Sequence, residues 1–93
     1  MARGDFAETL ALQALGWLAG QEDLLPAFMA HTGASEGDLK DLAADSVFLA
    51  AVLDFLMMED AWLVAFCDHA GVAYDTVAAA RTALPGGDIV HWT

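Results

Sequence analysis

The sequence predicts an all-α domain: a compact bundle of five or six helices with a short irregular C-terminal tail. Three observations carry that class. Apolar residues recur at 3 to 4 spacing, alanine and leucine far outnumber valine and isoleucine, and strand-like alternation is absent. Caps and stop residues punctuate the chain at helix-length intervals. The most apolar stretch, Ser46 to Gly71, has the form of two helices joined by an acidic corner, Glu59-Asp60, and it is the expected centre of the bundle.

The elements follow in order. Asp5-x-x-Glu8 has the form of a capping box, opening a helix to about Ala19. Phe6, Leu10, Ala14, Trp17 and Leu18 are its expected inner face. A second helix is expected from Leu24 to about Thr32, with Pro26 tolerated in its first turn and Gly33 as its stop. Ser35-x-x-Asp38 caps a short third helix bearing Leu39, Leu42 and Ala43. Asp45-Ser46 then opens the central pair. In its first member Phe48, Val52, Phe55 and Leu56 form the buried stripe, widened by Leu49 and Leu53. Asp54 falls on the thin opposite side with Val47, Ala50, Ala51 and Met58. Asp60 is the expected N-cap of the second member, Trp62, Leu63, Phe66 and Ala70 its inner face, and Gly71 its left-handed stop. A sixth helix from about Tyr74 to Leu84 presents Val77, Ala80 and Leu84. Pro85-Gly86-Gly87 ends regular structure, so residues 1–85 form the domain and 86–93 the tail.

Sliding the chain by 38 positions aligns the halves. Leu15 falls on Leu53, Leu18 on Leu56, Phe28 on Phe66, His31 on His69 and Gly33 on Gly71, while Trp17 meets Phe55. The pattern is that of two three-helix units, each with a long helix, an acidic corner, a helix ending in F-x-x-H-x-G and a shorter helix. Two copies are too few for a solenoid, so the expectation is one closed bundle with approximate internal two-fold symmetry.

Composition narrows the function. A chain of 93 residues makes one domain and buries only about two-thirds of its extended surface, which a 58% hydrophobic content offsets. Arg3, Lys40 and Arg81 face fourteen acidic residues, for a formal charge of −11. That excludes phosphate-backbone recognition, which needs cationic side chains to displace counterions. It suits either simple solubility or a basic partner. The single Cys67 rules out an internal disulfide and zinc-finger spacing. No apolar run is long enough to span a membrane, and the N-terminus lacks the charge layout of a signal peptide, so a cytoplasmic location is expected.

Few residues stand out as chemistry. His31 and His69 would come together as metal ligands if the two-fold were real. The alternative is that each, in the last turn of a helix, bonds terminal carbonyls and complements the dipole. Cys67 and His69 lie two residues apart, hence about 200° apart on a helix, and do not form a ligand pair. Cys67 has no basic neighbour to activate it and reads as a small core hydrophobe. Asp54 is read as solvent-facing or bonded to a neighbouring helix, against a role as catalytic base. No nucleophile elbow, phosphate loop or metal motif occurs. In the tail, Ile89, His91 and Trp92 either dock back over the bundle or engage a partner, with Trp92 as the anchor.

The segments LGWLA (Leu15 to Ala19), FMAHTG (Phe28 to Gly33), FLAAVLDFL (Phe48 to Leu56), AFC (Ala65 to Cys67) and LPGG (Leu84 to Gly87) resemble a family of small alphaproteobacterial proteins known only as a domain of unknown function. The resemblance covers nearly the whole chain. It implies a bacterial cytoplasmic protein and carries over no activity or catalytic residue.

The functional expectation is a protein-binding or adaptor module, monomeric or weakly dimeric. It has no catalytic residues, cofactor or metal and no nucleic-acid or membrane partner. The runner-up is a small enzyme or ligand-binding domain using Asp54, His31 or His69. A third reading is a binder of a basic protein through the acidic surface.

Overall fold

The computed structural model describes residues 3–84, all of whose regular structure is helical. The order is α1 (Arg3–Ala19), α2 (Leu24–Thr32), a 3-10 turn (Glu36–Asp38) running into α3 (Leu39–Leu42), α4 (Ser46–Met57), α5 (Asp60–Ala70) and α6 (Tyr74–Ala83). The tail residues Ile89, His91 and Trp92 lie outside the described residues.

Helix α4 is the hub. It packs against α1, α2, α5 and α6, and Phe48, Leu49, Val52, Leu53, Phe55 and Leu56 are all buried. The sequence stripe is therefore the core stripe. Ala50, expected on the thin side with Asp54, is buried as well. With neighbours on several sides, α4 buries a wider arc than one amphipathic stripe requires, and a residue with only a methyl group fits its edge. Asp45 caps the helix from extended backbone, its carboxylate accepting the Val47 N–H at 2.9 Å.

Helix α1 lies mainly along α4 and α6. Its buried face is Ala7, Leu10, Ala11, Ala14, Leu15 and Leu18, whereas Phe6, expected inside, is 44% exposed. The face is rotated toward the alanines, because small side chains let two helices approach α1 closely where a phenylalanine would hold them apart. The start of α1 also differs from expectation. The helix already includes Arg3 and Asp5, so Asp5 is no N-cap, and the Glu8 carboxylate accepts the Ser46 hydroxyl at 2.9 Å, joining α1 to α4.

The remaining ends are set locally. Ser35 donates both its hydroxyl (2.8 Å) and its N–H (3.3 Å) to the Asp38 carboxylate, half of the capping box its spacing predicts, while the Asp38 N–H goes to the Ser35 carbonyl at 2.9 Å rather than to the hydroxyl. Gly33 and Gly71 close α2 and α5 at φ 79° and 72°, their N–H groups bonding Met29 O and Cys67 O at 2.8 Å each. Such left-handed positions favour glycine. Asp60 is not the cap of α5. Glu59 holds that position without a side-chain bond, and Asp60 lies in the first turn, where its charge complements the dipole.

Aromatic rings tie the layers. Phe28 of α2 meets Phe48 and Phe55 of α4 edge-on at 5.6 and 5.3 Å. Phe55 stacks on Trp62 of α5 at 4.6 Å, and Trp17 of α1 meets Phe66 of α5 edge-on at 5.9 Å. Shifting Trp17 and Phe28 by 38 positions gives Phe55 and Phe66, so the Trp17–Phe66 and Phe55–Phe28 contacts exchange. Glu8 and Ser46 are themselves 38 residues apart. The third members of the two expected units differ: α3 is one turn, while α6 has ten residues and packs along α1.

Candidate functional site

Asp54, His31 and His69 lie on three different helices, α4, α2 and α5. Asp54 is exposed, and its carboxylate accepts Arg81 Nε at 2.5 Å, pinning α4 to α6. Among the described residues neither His31 nor His69 bonds a helix-terminal carbonyl, unlike the capping expectation, although both lie in last turns as the dipole favours. The His31 imidazole rests instead on the Phe55 ring at 5.8 Å. His69 lines a different groove, beside Trp17. Among the described residues no three His, Cys, Asp or Glu side chains gather as a metal site. Cys67 is buried while His69 is exposed, in line with their angular separation. Burial pushes the Cys67 thiol above its ordinary range, and the neighbouring Asp68 charge pushes it further the same way. The thiol thus lacks the electropositive setting that a nucleophile needs. Among the described residues no helix is long and apolar enough to cross a membrane.

Two open grooves lie among the described residues. The first, about 560 Å³, runs between the C-terminal halves of α1 and α5. Gln13, Trp17 and His69 line it, and Gly16 and Gly20 leave it open for want of side chains.

The second groove, about 540 Å³, is built where α2 ends, α3 turns and α4 begins. Its position follows from the local caps. Gly33 stops α2 and turns the chain, the Ser35–Asp38 cap folds it into the short α3, and Asp45 launches α4 alongside. Leu42 and Ala34 are half-buried and Phe48 is buried, giving the groove an apolar floor. At its edge Val47 is 65% exposed, the most exposed of the large apolar side chains among the described residues. Asp38, Asp41 and Asp45 also line it, with His31 at the end of α2. Two of these carboxylates are partly engaged as caps. Asp41 has no side-chain partner among the described residues.

Sequence reading missed this groove. Val47 fell on the thin side of α4, Asp38 and Asp45 read as caps, and Asp41 drew no reading. The signal was present in the spacing Asp38-x-x-Asp41-x-x-x-Asp45 ahead of Val47: acids returning about once per helical turn beside an apolar residue off the buried stripe.

No characterised protein and no solved structure matches the chain. A family model does match, over residues 4–87, which is nearly the whole length and every helix described above. The chain belongs to that family, described as protein of unknown function (DUF3572).

Proposed function

We propose that this protein is a protein-binding module, without a catalytic centre, that receives its partner in the groove formed by the end of α2, α3 and the start of α4. The observation that carries the reading is Val47. A β-branched apolar residue stands 65% exposed on the lip of an apolar-floored groove of about 540 Å³. Burial of such a side chain is worth about 1.5–3 kcal/mol, which this chain leaves unused. Supporting it, three of the candidates for chemistry are otherwise occupied: Asp54 in an ion pair, Cys67 in the core, His31 against a ring.

The test compares the parent with Val47→Asp. The substitution is at an exposed site in the first turn of α4, where an acid complements the dipole, so folding is expected to survive. Both chains are immobilised, and proteins captured by the parent alone are purified and titrated into labelled protein. Amide shifts centred on Leu42, Val47 and Phe48, lost in the variant, are the expected result. Partners captured equally by both chains, with shifts elsewhere, would overturn the reading.

A further inference from the structure

We infer that the occupant of the α2–α3–α4 groove is a basic amphipathic helix of another protein, its apolar side laid against Val47, Leu42 and Phe48 and its cations facing Asp38, Asp41 and Asp45. The inference rests on the binding reading above and adds the chemistry of the partner.

Two features of the surface select that chemistry. The floor and lip are apolar, so a purely charged segment would leave Val47 uncovered. Three carboxylates line the same groove, with Asp41 unpartnered among the described residues. Asp38 and Asp45 each give one oxygen to a cap, leaving the other free in the bonds described. An apolar partner without cations would desolvate these charges uncompensated, at a cost that grows as water leaves the groove. A partner with lysine or arginine beside its apolar stripe satisfies both requirements at once. The described surface here is helical, with no sheet edge to extend, so recognition runs through side chains, as when a helix lies in a groove. A second copy of the chain fits poorly. At a formal charge of −11 it would bring acid to acid.

The probe is a synthetic amphipathic helix with leucine along one side and lysine along the other, titrated into the full chain by calorimetry and amide shifts. Its control keeps the leucines and replaces every lysine by glutamine. The lysine peptide is expected to bind at the groove with a Kd at least ~10-fold below that of the glutamine peptide. That advantage should shrink between ~50 and ~500 mM salt, as screening predicts. Asn retains the capping oxygen, so the triple variant Asp38→Asn, Asp41→Asn, Asp45→Asn is expected to keep its fold and lose about that same factor.

The variant Glu22→Gln, Asp23→Asn, Glu59→Gln removes equal charge at exposed positions outside the groove, and less than ~2-fold loss is expected there. Equal losses in the two triple variants would overturn the inference, since overall charge would then suffice. If both peptides bind at the groove with the same affinity, and Val47→Asp abolishes both, the groove reading stands and the basic partner falls. If Val47→Asp changes neither peptide nor the captured proteins, the groove itself is wrong and both conclusions go.

Discussion

The indole of Trp17 meets the Phe66 ring edge-on, centroids 5.9 Å apart and planes at 62°. Phe55 meets Phe28 in nearly the same way, at 5.3 Å and 69°. Each contact joins a long helix, α1 or α4, to the second helix of the opposite half. These rings join α1 to α5 and α4 to α2, while Phe55 also stacks on Trp62 to join α4 to α5. Phe28 and Phe66 are both fully buried.

Phe66→Ala therefore removes a core side chain together with its edge contact to Trp17. Such truncations cost about 3–5 kcal/mol, a large share of the ~5–15 available to a small domain. The variant is expected to be barely folded at room temperature by urea titration. Trp17→Ala, at a half-buried position on the lip of a groove, should cost less. If Phe66→Ala stays within ~1 kcal/mol of the parent, α5 is not buried as described.

The ion pair between Arg81 and Asp54 decides how Asp54 is read. Asp54 is 52% exposed and Arg81 19%, so solvent screens the attraction, and pairs of this kind contribute about 0–1 kcal/mol. Asp54→Asn is expected to lower stability by no more than ~1 kcal/mol, with the difference fading at high salt. A variant that kept its melting temperature and lost a measurable turnover would restore the catalytic-base reading.

Two glycines should respond in opposite senses to alanine. Gly71 is at φ 72°, and no neighbouring atom lies within 4 Å of an added Cβ. The penalty there is backbone strain alone, about 1–2 kcal/mol. Gly16 is inside α1, equally uncrowded but in helical conformation. Gly16→Ala should stabilise by about 0.5–1 kcal/mol. Paired thermal melts check both, and a loss of stability in Gly16→Ala would mean that α1 is tighter there than its geometry shows.

How much of this was legible in the sequence depends on the range of the cause. The stripe of α4, the Asp45 cap, the Ser35–Asp38 cap and the Gly33 and Gly71 stops are consequences of residues within a turn or two of one another, and periodicity and cap chemistry expose them. The start of α1 and the place of Phe6 were misjudged because α4 and α6, not local preference, choose which side of a helix bearing both alanines and Phe6 is buried, although Leu10, Ala14 and Leu18 are buried as expected. Glu8 was read as a local cap partner, yet its carboxylate takes a hydroxyl 38 residues away. The groove was hidden for a related reason. Asp38 and Asp45 each have a local explanation as caps, and only the meeting of three segments places them with Asp41 around Val47.

Cys67 gives the last prediction, through linkage of its thiol to folding. Burial, then the charge of Asp68, raises the folded-state pKa. The unfolded thiol ionises at about 8.5, so below that pH both states hold the proton and the site contributes no pH dependence. Above it the unfolded chain releases its proton first. Stability then falls with rising pH, by up to ~1.4 kcal/mol per unit, until the folded thiol also ionises. Cys67→Ala removes this slope. At neutral pH the variant should lose about 1 kcal/mol of packing, and the parent's advantage should narrow as the pH rises from ~8.5 toward ~10. Other groups that titrate in that window are common to both chains and cancel in the difference. Urea titrations of the two proteins across that range check the prediction, with the rate of labelling by a thiol reagent as a second readout. Rapid labelling of the native protein at neutral pH, with a constant gap in stability, would show that Cys67 is open to solvent and not part of the core.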